Sequence, residues 1–508
     1  MPRYKKNYLK IYLWQGLSFI FNFVSLFIVT PKLSSVQEIY GIYSVCAGLN
    51  IFLQYTDLGF FSAGKKFAAE STIVKDIEHE KNIVGTSMII YVMFSVIISL
   101  GLVVCVVCPD IIIAGISNNP GNLLIARQLL LILLLSVFVT ILHKYVEFVY
   151  SLRIEQYKIQ QALIIGSILK IASVLLIFFK SDRYDIVGYY IFCQVVTFLC
   201  CIYILYRSKE IGYGLKSVFN ILHFDKASFN TMKGLAFGGF SNTISWILFY
   251  EIDTLVLSAL LGPTSVAIYA VGRSMQVFVR SMHGIIYGPY NVRFYYFVGE
   301  GNEKGLREFF LFLTSLLGIT IIPIVAICCF AEPFIVAWVG TEYHESVQIL
   351  ILLVLCFAFN GITNPCGSVV FAYNKTRELY IFSILQPLVF WLGVSITVHF
   401  WGVSSFAYFK LLACILSALY WIHIATKTIK INPIKLMVKD FVRPLLIAVV
   451  GSYIVYNISL NFLVVDQKSS ILLFKTIVWI GIASILSGIV YCALNKQLRV
   501  FLIKIIKK

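Results

Sequence analysis

Apolar segments of about 20 residues, the length a helix needs to cross the hydrocarbon core of a bilayer, follow one another almost without interval along this 508-residue chain. Hydrocarbon offers a backbone no water, so a spanning segment must satisfy its own amides and carbonyls, as a helix does. Loop signals separate the apolar runs into helices expected near 11–30, 41–61, 83–108, 124–147, 159–179, 186–206, 235–260, 265–290, 309–330, 347–372, 380–400, 404–426, 442–463 and 471–494. The seventh and eighth runs meet so tightly at Gly262 and Pro263 that they read almost as one. The expected fold class is therefore all-α, a polytopic membrane protein with about 14 transmembrane helices and no sizeable domain outside the bilayer. With 59% hydrophobic and only 13% charged residues, the chain lies far from soluble composition.

A net charge of +17 raises the question of a nucleic-acid partner, and the placement of the charge answers it. Thirty of the 41 Lys and Arg residues fall in the N-terminus and in every second connection: 62–82, 148–158, 207–234, 291–308, 373–379, 427–443 and the tail 495–508. The opposite connections carry only Lys32, Lys180, Arg183 and Lys468, and the longest of them, 331–346, holds Glu332, Glu342 and Glu345 without a basic residue. That alternation follows the positive-inside rule and places both termini in the cytoplasm. No basic stripe interleaved with aromatics exists, so nucleic acid is excluded as a partner.

The connection 207–234 reads as a seam, dividing the chain into an N-terminal six-helix lobe 1–206, a C-terminal six-helix lobe 235–426 and an added two-helix pair with a basic tail, 427–508. A shift of 226 residues lays Ile42, Tyr43 and Val45 on Ile268, Tyr269 and Val271. The same shift lays Asn50 on Gln276, Gln54 on Arg280 and Asp57 on His283, the mark of an internal duplication relating two pseudo-symmetric lobes.

Polar residues three and four apart on an apolar helix mark a face turned to protein or water. Gln15, Ser18, Asn22 and Ser25 do so on the first helix, Asn50, Gln54 and Asp57 on the second, Asn242, Ser245 and Asp253 on the seventh, and Arg273, Gln276, Arg280 and His283 on the eighth. An Arg near the bilayer centre costs about 3 kcal/mol on insertion scales, so Arg273 and Arg280 on one face require something anionic. Pairing with Asp57, Glu251 or Asp253 is one solution. An anionic substrate is the other, with Gln276, His283, Asn50, Gln54, Gln15, Asn22 and Lys170 completing its surroundings. Asp57 and Asp253 are the candidates for proton or cation coupling.

Weaker signals have plainer readings. Lys144 and Glu147 form an i, i+3 pair, Lys410 lies near enough to a helix end to snorkel, and Asn360, Thr363 and Asn364 beside Pro365 suggest a broken tenth helix. The segment Gly59–Lys66, GFFSAGKK, resembles a phosphate-binding loop but ends in Lys where magnesium needs Ser or Thr, so no nucleotide is expected. Twelve cysteines without metal-ligand spacing read as small core residues, and no metal or other cofactor is expected.

The segments YGIYSVCAGLNIFLQYTDLGF from Tyr40 and EIDTLVLSALLGPTSVAIYAVGRSMQ from Glu251, set among fourteen runs with both ends inside, resemble the Wzx-type O-antigen flippases. These form the polysaccharide branch of the multidrug/oligosaccharidyl-lipid/polysaccharide (MOP) exporter superfamily. The resemblance implies a transporter rather than an enzyme, one that turns undecaprenyl-diphosphate-linked oligosaccharide from the cytoplasmic to the periplasmic leaflet by alternating access. It also implies membrane lipid, an O-antigen polymerase and a chain-length regulator as partners in lipopolysaccharide biosynthesis. The related peptidoglycan-lipid flippases place arginines in the first, second and eighth helices. Here only Arg273 matches, while Gln15, Asn22 and Asn50 stand where charge would be. Drug exporters of the same superfamily, with an acid in the first helix, are the nearest rival, and this first helix has none. A membrane O-antigen polymerase would need a large periplasmic loop with basic residues, whereas 331–346 is short and acidic.

Overall fold

The computed structural model describes residues 2–178, 185–214, 220–287, 290–463, 467–495 and 498–499. Among them every regular element is a helix: α1 (Pro2–Leu33), α2 (Gln37–Leu53), α3 (Phe60–Val74), α4 (Ile77–Val107), α5 (Pro120–Leu152), α6 (Tyr157–Leu176), α7 (Asp185–Arg207), α8 (Lys226–Trp246) and α9 (Asp253–Tyr287). There follow α10 (Asn291–Gly299), α11 (Glu303–Cys329), α12 (Ala331–Val339), α13 (Glu345–Ala372), α14 (Thr376–Trp401), α15 (Ser404–Ile429), α16 (Pro433–Met437), α17 (Arg443–Ser459) and α18 (Ser470–Leu494). Single π-turns, Ile247–Glu251 and Val438–Val442, precede α9 and α17. Lys180 and Arg183, from the connection after α6, lie outside the described residues, as does the side chain of Asn242.

Polar caps start the helices where the sequence supplies them. Asp76, Asn119, Asp225, Asn302, Asn432 and Ser469 each accept backbone amides from the first turn of the helix that follows. Twelve helical segments among the described residues are long and apolar enough to cross a membrane, and large apolar side chains such as Leu135, Leu176 and Phe400 point outward from them. One segment, 239–287, has 49 residues, or about 74 Å of helix, more than twice the hydrocarbon thickness. It is divided at Gly262, whose φ of 79° and ψ of −179° belong to a region essentially reserved for glycine. Counting this stretch as two and adding the 17-residue α2 recovers the fourteen runs of the sequence.

Two departures from the expected helices matter for the site. The second run does not continue to residue 61: α2 ends at Leu53, and residues 54–59 form a turn before α3. Gln54 and Asp57 consequently leave the helical face of Asn50, and the register that equates them with Arg280 and His283 pairs a turn with a continuing helix. The tenth run, in contrast, is not broken at Pro365, which sits inside α13. Thr363 Oγ1 and Asn364 Nδ2 both donate to the carbonyl of Asn360, at 2.7 and 3.2 Å, and spread the disturbance through local hydrogen bonds.

The chain divides by its contacts into two compact units, Met1–Ala267 and Ile268–Lys508. Within the first unit α8 packs on α3 and α4. Asp225 exchanges hydrogen bonds with Thr86 (3.0 Å from its amide), and Ser87 reaches Met232. The core of the first unit is aromatic, with Phe61 at 5.2 Å from Phe148 and 5.1 Å from Tyr91, ring centre to ring centre. In the second unit α13 lies along α15 and α11, while α17 and α18 pack on α11 around Ala326, Phe330 and Ala483.

Gly41 and Gly48, seven residues apart on α2, admit the chain around Thr254 and Pro263. A Cβ at Gly41 would overlap the carbonyl of Pro263, whereas one at Gly16 on α1 would meet nothing within 4 Å. Gly41→Ala is therefore expected to lose about 1–3 kcal/mol of stability through overpacking and Gly16→Ala none. Thermal unfolding of both variants in detergent checks this, and equal midpoints would contradict the close approach.

Candidate functional site

On α9, with about 100° of rotation per residue, Arg273, Arg280, Gln276 and His283 fall within an arc of about 80°. The arginines occupy the edge of this arc nearest the exposed residues Val277 and Gly284 and are half-buried. Gln276 and His283 occupy the other edge, at 3% and 4% exposure. The His283 ring lies edge-on to Phe357 of α13 at 5.6 Å and to Tyr287 at 5.9 Å, so it looks into the core of the second unit. Neither of its nitrogens, nor Gln276 Nε2, has a hydrogen-bond partner among the described residues. Seven residues separate the two guanidinium groups, about 10 Å along the axis, and both are long enough to converge on one ligand.

Within the first unit the remaining candidates do not form a single cluster. Gln15 and Gln54 are exposed, and Asn50 is half-buried in the last turn of α2. Asn22 accepts a hydrogen bond from Ser167 of α6 at 3.3 Å, whereas Lys170, one turn further on, turns to Thr197 of α7 at 3.2 Å. Asp57 accepts the amide of Phe61 at 3.3 Å and so anchors the start of α3. Asp253 lies two residues past the first π-turn, fully buried, its Oδ1 accepting the Thr254 amide at 2.8 Å. Glu251, the last residue of that turn, is 2% exposed.

Three charged positions differ from, or were missed by, the sequence reading. Lys410 does not snorkel: it is fully buried, with its Nζ 3.3 Å from Tyr269 Oη and over the Phe390 ring at 5.3 Å. Its seventh place in α15 suggested a helix end, but Ser405, Phe406 and Ala407 in the first turn are buried as well. Glu80, at 1% exposure, receives both nitrogens of the Arg153 guanidinium, at 2.7 and 3.2 Å, together with the hydroxyls of Thr72 and Tyr213. Asp440 is buried in the second π-turn. Close by the Glu80 cluster, Glu147 bridges Lys144 at 3.4 Å, as its spacing suggested, and Lys65 at 3.2 Å. Lys65 and Lys66 of the loop-like GFFSAGKK segment lie on a helix that follows a turn, not a strand, and pair with Glu147 and Glu70. Among the described residues no group of His, Cys, Asp or Glu could hold a metal ion, and the twelve cysteines are free thiols.

No protein-family model matches the sequence, and no curated protein is similar to it. Solved structures are similar. The lipid II flippase MurJ in an inward closed conformation aligns over 96% of this chain and 99% of its own, with a TM-score of 0.66 and 17% identity. An inward-facing multidrug resistance MATE family transporter of the MOP superfamily aligns over 80% of this chain and 94% of its own, with a TM-score of 0.62 and 14% identity. A Vibrio cholerae MATE transporter in its bent form follows at 0.53 and 15%, over 85% and 98%. Identities this low establish the fold alone, an all-helical, multi-pass architecture shared with these structures.

The Glu80 cluster ties α3, α4, the end of α5 and the segment around Tyr213 into one body, and removing one partner strands a buried charge. Arg153→Met is expected to cost about 3–5 kcal/mol, and Glu80→Gln in the same chain to recover much of it. A double-mutant cycle on unfolding midpoints checks the pair, and simple additivity would mean that the two groups are not coupled.

Proposed function

We propose that the protein is a flippase that carries undecaprenyl-diphosphate-linked oligosaccharide repeat units of a surface polysaccharide such as O-antigen. It would move them from the cytoplasmic to the periplasmic leaflet of a bacterial inner membrane by alternating access, with both termini in the cytoplasm. One observation carries this reading: two half-buried arginines share one edge of an apolar helix. Each costs free energy in a bilayer, and a diphosphate accepts charge-assisted, bidentate hydrogen bonds that a guanidinium offers and an ammonium does not. A cationic substrate would be repelled by the two guanidinium groups.

In this proposal Arg273 and Arg280 hold the diphosphate, and Gln276 lies beside them. Asn22, Asn50, Gln15, Gln54 and Lys170 would meet the sugars or line their path, while His283 supports the helix from behind. Asp57 and Asp253 are the proposed coupling residues, with Asp253, fully buried beside a π-turn, the stronger of the two. Asp57 has a competing task as the anchor of α3. An O-antigen polymerase and a chain-length regulator would receive the product. The likeness to MATE transporters favours a second reading, a cation-coupled multidrug exporter of the same fold. That reading gives the arginines no anionic ligand.

Arg273→Lys, Arg273→Ala and Arg280→Ala, compared at matched membrane abundance, are expected to lower export of surface polysaccharide and binding of the lipid-linked intermediate tenfold or more. That corresponds to a loss of about 2–5 kcal/mol for one buried charged contact. Arg273→Lys should behave nearly as badly as Arg273→Ala. Normal binding and export in all three removes the diphosphate from this helix, and drug efflux that persists in them supports the exporter. Asp253→Asn should uncouple export from the ion gradient without lowering substrate binding. Unchanged dependence on the gradient would return Asp253 to a structural role.

A further inference from the structure

Asp440 lies in the π-turn Val438–Val442 that joins α16 to α17, where the amide of Arg443 reaches back five residues to the carbonyl of Val438. The cause is in the sequence. Pro444, four residues beyond Asp440, has no amide hydrogen, so the Asp440 carbonyl is denied its α-helical partner and the turn widens. The widened turn delivers the Asp440 side chain to the packing of α17 and α18 on α11, where it is 0% exposed.

Hydrogen-bond accounting at this carboxyl group distinguishes its two charge states. Thr314 Oγ1 of α11 is 2.8 Å from Asp440 Oδ2 and 3.1 Å from the carbonyl of Leu311, while Oδ1 has no hydrogen-bond partner. A hydroxyl has one hydrogen to donate. With Asp440 ionised, a buried carboxylate would have at most that single donor and no ion pair among the described residues, a state that costs several kcal/mol in a protein interior. With Asp440 protonated, its O–H donates to Thr314, Thr314 donates to Leu311, and the only atom left over is a carbonyl-type oxygen, whose burial is far cheaper.

The other groups facing the acid fit this assignment. Lys439 acts on it electrostatically from the same turn. Tyr491 of α18 faces it but is engaged elsewhere, donating to the Ser315 carbonyl at 2.9 Å and accepting from Asn495 Nδ2 at 3.1 Å. Arg443, at the start of α17, faces Tyr491, and Lys435 of α16 is exposed. Phe359 of α13 covers the turn through Phe441, ring centres 5.0 Å apart.

We propose that Asp440 is a proton-binding site in the C-terminal helix pair, distinct from Asp57 and Asp253 and independent of the substrate assigned above. The proton sits on Oδ2 and is held by Thr314. Its release breaks the O–H bond, gives the proton to water and leaves a carboxylate, so it requires the packing of α11, α17 and α18 to loosen and admit water or a cation. Uptake of one proton closes the pair again.

Infrared difference spectroscopy of the full chain in lipid vesicles tests this. At neutral pH the wild-type spectrum minus that of Asp440→Asn is expected to contain a protonated-carboxyl C=O band that shifts in heavy water. Asp440→Asn should fold, because its amide still donates to Thr314. Thr314→Val leaves the acid in place and gives a second reading that needs no change at Asp440: the same band moves to higher frequency as its hydrogen bond is lost. If the difference spectrum holds only carboxylate bands at neutral pH, the site holds no proton and the proposal fails; if Thr314→Val leaves the band in place, Thr314 does not hold the proton and the site as described here is overturned.

Discussion

A backbone in hydrocarbon has no solvent to bond to, and most of this structure follows from that constraint. It makes helices obligatory, and it gives meaning to the places where helices are interrupted. At Gly262 the backbone leaves the helix, and the carbonyl of Ser258, four residues earlier, is met instead by the amide of Ala114 from the connection before α5. At Val438–Val442 a wider hydrogen-bonded ring absorbs the missing amide of Pro444. Inside α13 side chains of Thr363 and Asn364 gather at a carbonyl next to the disturbance made by Pro365. Each irregularity is confined to a turn of helix and is accompanied by hydrogen bonds from neighbouring groups.

Charge is handled by the same logic with larger energies. Glu80 is buried against the guanidinium of Arg153 and two hydroxyls, a fully satisfied arrangement that is rigid for that reason. Lys410 is buried against a phenol and an aromatic face, both of which attract a cation. The arginines of α9 stand at the edge of the packed surface, half-buried, where a ligand can approach them. These are three different resolutions of one desolvation problem, and only the last leaves the charge accessible.

Much of the architecture was legible before any coordinates, because membrane helices announce themselves by length and the connections by their alternating charge. The helical face of Arg273, Gln276, Arg280 and His283 was legible too, since α9 is regular through those residues. What failed was the second helix: the run Gln54–Gly59 contains no proline, and its apolar Tyr55 and Leu58 continue the hydrophobic pattern through a turn. Asp57 lies at the start of the next helix rather than on the polar face of α2. Lys410 escaped because burial depends on neighbours from α9 and α14 that are distant in sequence. Asp440 escaped because it stands in the basic connection 427–443, where Pro444 signals a distorted turn but nothing marks the acid for burial.

The contact of Gly41 with Pro263 also sets a clock on biosynthesis. More than two hundred residues separate the two, so α2 enters the membrane well before the strip of chain that will cover its glycine face has been translated. At roughly 5–20 residues per second the delay is on the order of ten to forty seconds. During that interval a notched, apolar surface stands open to lipid, to other nascent helices and to the insertion machinery, and the first unit becomes a finished body only when the ribosome has passed residue 267.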